Sequence, residues 1–408
     1  MSIMVSVLMT AYNHEKYIRD AIEGVVYQQT SFPIELIVHD DASTDDTAQI
    51  IKEYAKKYPN IVKPIFEEVN IYSTGKKDIF FDILMQRASG KYIAICEGDD
   101  YWIDKHKLQK QYDFMESHPD FSMTMHNAWK LDMNTGNKIL LNTFSSSGYY
   151  SLEDQVRAGL GSKFPATASY FFRREMWHTY PDELKKGLVG DYFIRLYNAS
   201  KGKVYYFEEP MSVYRYMTDG SFTQKISVNS DYYCRYIIDI VRKYNALDKY
   251  LNYQFHDIYQ KAISSNIIGY LASESEDSRI NDSIDLSSEF ISKCRKHLDE
   301  DYLEPEIAEH INFNSKVWIY GTSSLGKIYF HKLLNYDINV KGFVVTNGYT
   351  KPELFEGKKV SYLSEVLRND SDTMFVVAVQ PINADSIIEG LQKANITNYI
   401  YPLMDLED

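Results

Sequence analysis

Residues Glu97-Gly98-Asp99-Asp100 place three carboxylates directly after the apolar run Tyr92-Ile93-Ala94-Ile95. Carboxylates this close repel one another and lose hydration when buried, so a cation is their natural companion. Their oxygens are hard ligands, suited to Mg²⁺ or Mn²⁺, which typically take one or two protein carboxylates and complete the shell with phosphate oxygens. Two further polar clusters end apolar runs in the same way: Thr10-Ala11-Tyr12-Asn13 and Asp40-Asp41-Ala42-Ser43. An acidic pair alone is most often a solvated turn. Three strand-end clusters together read as a site where a metal bridges carboxylates and a diphosphate. No Gly-rich loop with Lys before Ser/Thr is present, which argues against a P-loop phosphotransferase.

The segments carrying these clusters alternate between strand and helix patterns. Ile3–Met9 reads as a buried strand, and Glu15–Gln28 as a helix with Ile18, Ile22, Val25 and Val26 on one face. Ile34–His39 is a second strand. Ser43 is expected to cap a helix that stops near Pro59, with Asp45 and Asp46 in its first turn. Ile61–Phe66 is a third strand, Asp78–Ala88 a helix and Tyr92–Cys96 a fourth strand. This order predicts an α/β fold with a parallel sheet. Ligands of open α/β sheets bind beyond the carboxyl ends of the strands, so neighbouring strands would bring the three clusters together there.

Beyond Trp102 the alternation loosens. A helix is expected at Lys105–Ser117, a hairpin over Phe121–Leu141, a strand at Thr167–Phe172, a helix at Gly190–Ser200 and a strand at Val204–Phe207. From Ile226 to Asn312 only helical periodicities occur, with Ser273–Ser278 as a solvated loop. A new α/β unit begins at Lys316. The expected domains are residues 1–225, a helical segment 226–312 and a C-terminal unit 313–408.

The 408-residue chain carries a net charge of −13, which argues against nucleic acid as a partner. Cys96, Cys234 and Cys294 form no disulfide or zinc pattern, as in a reducing cytoplasm. The N-terminus lacks the basic region of a signal peptide, and no run reaches bilayer length. A cytoplasmic chain is expected. A lipid-linked acceptor would add peripheral contact at the inner membrane face, although no basic amphipathic helix stands out.

Three stretches, in this order, resemble inverting glycosyltransferases of family 2, which have the GT-A fold: TAYNHEKYIRDAI (Thr10–Ile22), IELIVHDDASTDDT (Ile34–Thr47) and SGKYIAICEGDDYW (Ser89–Trp102). The resemblance implies that Thr10, Ala11, Tyr12 and Asn13 line a base and ribose pocket. It implies that Asp41, or its neighbour Asp40, accepts a hydrogen bond from a uracil or thymine imide. Glu97 stands where the family usually has Asp, near the ribose, with Gly98 beside it. Asp99 would be the main metal ligand, and Asp100 a second ligand or a donor-sugar contact. Lys163–Arg174 resembles a segment with donor and acceptor contacts, but Arg173 and Arg174 read better as surface charge. LVGDYFIRLY (Leu188–Tyr197) resembles the family's ED motif with Gly190 in place of Glu, which makes Asp191 the general base. VYRYMTDGSFT (Val213–Thr223) resembles the Tyr-Arg-x-His stretch with Met217 at the His position. A thioether is a poor ligand for Mg²⁺ or Mn²⁺, so either water takes that place or metal dependence is weak. Arg215 would pair with the diphosphate or form an internal salt bridge.

The implied activity is transfer of a sugar from a nucleoside-diphosphate donor, UDP-linked by default, to a glycan, glycolipid or glycoprotein, with Mn²⁺ or Mg²⁺. Two alternatives remain: a sugar-nucleotide pyrophosphorylase, whose Gly-rich, Arg-bearing loop is missing, and an inactive assembly subunit, favoured by Gly190 and Met217. At the C-terminus, WIYGTSSLGKIYF (Trp318–Phe330) has Ser323 where a dinucleotide motif needs its middle glycine, and Thr346-Asn347 offers no acid for a ribose. A Rossmann-like accessory domain for homodimerisation or partner docking is therefore preferred to one that binds NAD.

Overall fold

The computed structural model describes residues 2–74, 78–160, 164–273, 288–311, 316–347, 351–369, 373–403 and 406. The chain divides into two compact units, Met1–Tyr233 and Cys234–Asp408. No helix among the described residues is long and apolar enough to cross a membrane.

The first unit is built on a ten-stranded mixed sheet in the order β3-β2-β1-β4-β9-β6-β10-β5, with β7 beside β6 and β8 beside β10. Its parallel half consists of β1 (Val5–Ala11), β2 (Ile34–Asp40), β3 (Val62–Phe66) and β4 (Tyr92–Ile95). All seven residues of β2 and all four of β4 are buried, as expected of parallel strands covered on both faces. Helix α1 (Ile18–Val26) buries Ile18, Ala21, Ile22, Val25 and Val26 against the sheet. The mixed half consists of β5 (Tyr101–Trp102), β6 (Phe121–Asp132), β7 (Lys138–Leu140), β8 (Gly148–Tyr150), β9 (Phe171–Arg173) and β10 (Lys203–Tyr216). Strand β9 runs antiparallel to β4 and β6, and β10 runs parallel to β6.

Several local expectations change. Helix α2 (Thr47–Lys57) begins four residues after Ser43, and no side chain caps it. Ser43 instead accepts the Asn13 N–H. The segment after Asp78 is a π-helix, Ile79–Leu84, capped by the Asp78 carboxylate on the Phe81 N–H, and a short α-turn follows. Thr167–Ser169 is a 3₁₀ turn, and the strand starts only at Phe171. The last strand is fourteen residues long, because register shifts around Pro210 absorb a residue that cannot donate to the ladder.

The second unit has a six-stranded sheet, β13-β14-β12-β11-β15-β16. These strands are β11 (Lys316–Tyr320), β12 (Val340–Val345), β13 (Leu354–Phe355), β14 (Lys358–Tyr362), β15 (Thr373–Val377) and β16 (Tyr399–Ile400). Pairing is parallel except at β13. Helix His256–Ser273 packs on Pro381–Lys393, Ser288–Leu298 and Ser324–Asn335, so part of the helical segment belongs to this compact unit. A Cβ at Gly326 would lie 2.4 Å from the Gly321 carbonyl oxygen, so the glycine there allows close packing of turn and helix. The loop expected at Ser273–Ser278 lies, beyond Ser273, outside the described residues.

Candidate active site

The parallel register pairs Ala11 with Asp40 and Leu8 with Ile95. Past the end of β4 the chain stays against β1: Cys96 N–H donates to Leu8 O at 3.1 Å, and Gly98 N–H to Thr10 O at 2.9 Å. Thr10, Asp40 and the Glu97–Asp100 turn thus share one end of the sheet.

The loop after β1 is tied to the loop after β2. Asn13 N–H donates to Ser43 Oγ (2.9 Å), Thr44 N–H to Asn13 Oδ1 (2.8 Å), His14 N–H to Thr47 Oγ1 (2.7 Å) and Glu15 N–H to Asp45 Oδ2 (3.0 Å). Asn13 and Ala42 take left-handed backbone conformations, φ +55° and +60°, which turn the two loops toward each other. Tyr12 remains 45% exposed at this edge.

The two neighbouring aspartates, both buried, differ in what they hold. The Asp41 carboxylate accepts Ile71 N–H at 2.6 Å and Tyr72 N–H at 3.0 Å, so it caps the short helix Ile71–Thr74. Asp40 Oδ2 accepts Ser43 N–H at 3.3 Å, while its Oδ1 is buried with no hydrogen-bond partner. A buried acceptor left unmade costs about 1–3 kcal/mol. Of the two, Asp40 has the acceptor capacity that a ligand's N–H would satisfy.

In the acidic turn, Asp100 is buried and its Oδ1 accepts the Arg215 N–H at 2.8 Å. Asp99 Oδ2 accepts the Thr218 hydroxyl at 3.1 Å. Burial, then Asp100, Asp99 and Asp191, pushes the Glu97 carboxyl well above the usual carboxylate range. Burial and then Asp99 push Asp100 the same way, against Arg215. Arg215 offsets the charge of the turn only in part, and a divalent cation would supply the rest. Among the described residues, no group of three or more His, Cys, Asp or Glu side chains is arranged to hold a metal by itself. The donor set fits an ion held by Asp99 and Asp100 with oxygens from a diphosphate or water.

Gly98 must stay small. A Cβ there would lie 2.8 Å from both His14 Nδ1 and Thr10 O. Gly98→Ala is expected to cost about 1–3 kcal/mol and to displace the adjacent carboxylates. A melting curve run alongside a nucleotide titration checks both effects; wild-type values in both would contradict the packing argument.

Arg215 takes the internal alternative. Its guanidinium pairs with Asp20, donates to Asp99 O at 2.8 Å and lies 4.4 Å from the Tyr101 ring. It braces the acidic turn through the Asp99 backbone oxygen. Met217, at φ +65°, turns the chain out of β10 in a conformation that L side chains rarely adopt. That turn precedes Thr218, whose hydroxyl meets Asp99.

Asp191 opens the helix Asp191–Lys201. Thr167 Oγ1 donates to its Oδ2 at 2.5 Å, and Tyr192 N–H to its Oδ1 at 2.8 Å. Its charge acts on Glu97, so it shares the acidic end of the sheet. A Cβ at Gly190 would meet nothing within 4 Å, so sterics do not explain the missing Glu. Arg173 and Arg174 are not loose surface charge. Arg173 pairs in register with Tyr92, at the opposite end of β4, and donates to Phe121 O and Met115 O; Arg174 Nε donates to Gly90 O.

The chain matches Glycosyl transferase family 2 over residues 6–178. An uncharacterised protein of Mycobacterium tuberculosis is 36% identical over 210 residues, 52% of this chain and 58% of that protein. An uncharacterised glycosyltransferase of Nostoc sp. is 30% identical over 217 residues, 52% of this chain and 64% of the relative. This chain thus spans less than two thirds of the length of either relative. Among solved structures, S. aureus TarS 1–349 in complex with UDP-GlcNAc aligns at 17% identity and a TM-score of 0.47, over 82% of this chain and 91% of that one. The family 2 match takes in the three strand ends but stops before Asp191, Arg215 and Met217.

Two site residues escaped the sequence reading. Thr167 and Thr218 hold the carboxylates of Asp191 and Asp99, from 24 and 119 residues away. Neither sits in a spacing pattern that could have exposed it.

Proposed function

We propose that the chain is an inverting glycosyltransferase, moving a sugar from a nucleoside-diphosphate donor, UDP-linked by default, to a glycan, glycolipid or glycoprotein. The observation that carries this reading is one acidic cluster, Glu97, Asp99, Asp100 and Asp191, beside the strand ends of a family 2 sheet. Thr10, Ala11, Tyr12 and Asn13 border the base and ribose. Asp40 takes the imide N–H, with its unpartnered Oδ1 as support. Asp99 and Asp100 would hold Mn²⁺ or Mg²⁺, which offsets the charge of the leaving diphosphate. Asp191 removes the proton from the acceptor hydroxyl as that oxygen attacks the anomeric carbon. Attack opposite the leaving group inverts the anomeric centre. Thr167 and the Tyr192 N–H hold the two oxygens of Asp191 in place. Residues 1–225 would hold the catalytic machinery. Residues 313–408 would serve as an accessory domain for pairing with a second copy or a partner.

The test is release of nucleoside diphosphate from a panel of nucleotide sugars, with and without Mn²⁺. Slow donor hydrolysis supports the transferase, and pyrophosphate-dependent exchange supports a pyrophosphorylase. Gly190 and Met217 favour a second reading, a binding-only assembly subunit; nucleotide binding with no turnover on any donor would select it. Asp99→Ala is expected to lower nucleotide affinity only when Mn²⁺ is present. Calorimetric titrations that stay the same with and without the metal would remove Asp99 from the ligand role.

A further inference from the structure

A cavity of about 450 Å³ lies beside the residues that lead into β1 and β4 and those that follow β9. Tyr92, the first residue of β4, pairs in register with Arg173, whereas the acidic turn follows the other end of that strand. The four residues of β4, at ~3.3 Å each, separate the two ends by about 13 Å. A volume of this size suits a small molecule, whose sites span roughly 300–1,000 Å³.

The chain carries a net charge of −13, yet this cavity is lined by three cationic side chains, Lys91, Arg173 and Arg174, against one carboxylate, Glu175. The cations are engaged to different degrees. Arg173 commits its guanidinium to Phe121 O, Tyr92 OH, Met115 O and His118 O. Lys91 Nζ pairs with Glu116 at 2.5 Å. Arg174 is fixed only at its base: its backbone N–H donates to Lys91 O at 3.0 Å and its Nε to Gly90 O at 2.6 Å. Its Nη1 and Nη2 have no partner among the described residues. His178, in the same 3₁₀ segment Arg174–Thr179, lines the cavity, is exposed and has none either. Glu175 forms no ion pair with Arg174 or His178. Ile3 and Met4, both half-buried, give the cavity an apolar wall.

We infer that this cavity binds a small phosphate monoester, with Arg174 and His178 on the phosphate and Ile3 and Met4 beside its organic body. A guanidinium anchored through Nε presents both Nη groups as a fork, and two phosphate oxygens complete it. The third oxygen is left for His178. A carboxylate, with two oxygens, would satisfy the fork alone. Because Nε is already held by Gly90 O, little side-chain freedom is lost when the anion docks. The site lies at the end of the sheet away from the acidic turn, so it does not rest on the transferase reading.

The probes are inorganic phosphate and phenyl phosphate, at an ionic strength held constant with chloride, because exposed cations also attract anions without a site. The readouts are calorimetry and the ring nitrogen NMR signals of His178, assigned among the ten histidines through His178→Ala. Phenyl phosphate is expected to shift the His178 signals and to bind more tightly than inorganic phosphate. Arg174→Gln is expected to weaken its binding at least about tenfold, and His178→Ala about threefold. Asp99→Ala, beyond the other end of β4, is expected to leave it unchanged. An unmoved His178 signal overturns the inference. So does binding that survives Arg174→Gln but is lost with Asp99→Ala, which would place the phosphate at the acidic end. Equal affinity for the two probes would indicate an adventitious ion only. Binding confined to phosphatidylglycerol vesicles would mark a membrane contact and overturn it as well. If Arg174→Gln does not fold, the wild-type His178 shift and the His178→Ala titration decide. None of these readouts needs sugar transfer, so the outcome is separate from the test of the transferase reading.

Discussion

Asp191→Asn is expected to lower sugar transfer by about 10²–10⁴-fold while leaving nucleotide affinity near wild type. The substitution removes one negative charge and the ability to take a proton. It preserves shape, because an amide oxygen can still accept the Tyr192 N–H, and an amide N–H can donate to the Thr167 hydroxyl. The groups proposed to meet the nucleotide, Asp40 and the residues Thr10–Asn13, belong to other strand ends and keep their own bonds. A loss confined to kcat therefore identifies a proton-transfer role. A matching loss of nucleotide affinity would show instead that Asp191 supports the fold of the cleft. Product formation and calorimetric nucleotide binding, measured on the same preparation, separate the two. Turnover at wild-type rate would remove Asp191 from the base role altogether.

The strand ends were legible in the sequence because parallel strands buried on both faces read as unbroken apolar runs, and polar residues appear only where the run leaves the sheet. That pattern located Thr10–Asn13, Asp40-Asp41 and Glu97–Asp100, and the register placed them together. Their individual contacts were not legible. Which aspartate is free depends on Ile71 and Tyr72, whose N–H groups engage Asp41 from a loop about thirty residues away. The use of Arg215 depends on Asp20, 195 residues earlier. Such partners are chosen by the folded chain, and no local period encodes them. The strand β10 was underestimated because Glu208-Glu209-Pro210 breaks its alternation, and a bulge carries the ladder past the break. In the second unit, helix His256–Ser273 buries residues on every side. An all-round apolar helix signals burial without naming what covers it.

Glu304→Gln is expected to destabilise the second unit by about 3–5 kcal/mol at neutral pH, because it strands a buried ammonium. Glu304 Oε1 collects three donors: His297 Nδ1 at 2.9 Å, Tyr329 OH at 2.7 Å and Lys332 Nζ at 2.9 Å. Glu304, Tyr329 and Lys332 are almost wholly inaccessible. Burial alone would raise the Glu304 carboxyl, but the His297, Lys332 and Tyr329 contacts outweigh it and hold it below the usual range. Lys332 is drawn down by burial despite its pairing, so the ammonium is the member that depends on the cluster. The signs follow from proton linkage. A depressed carboxylate contributes stability in full above its unfolded value, about 4.3, and loses it as pH falls through the folded value. Wild type is therefore expected to weaken on acidification through that window, while Glu304→Gln stays flat there. Without the carboxylate, Lys332 sheds its proton more readily in the folded state than in the unfolded chain. The variant should accordingly regain stability as pH rises from 7 toward the ordinary lysine range, about 10.4. Adding Lys332→Met to Glu304→Gln should recover most of the loss, since apolar replacement of a buried pair is often close to neutral. Hydrogen exchange of β11 and β12 peptides in graded urea reports on this unit separately. Equal protection in wild type and Glu304→Gln across the pH series would show that the three donors are adequately served without the charge.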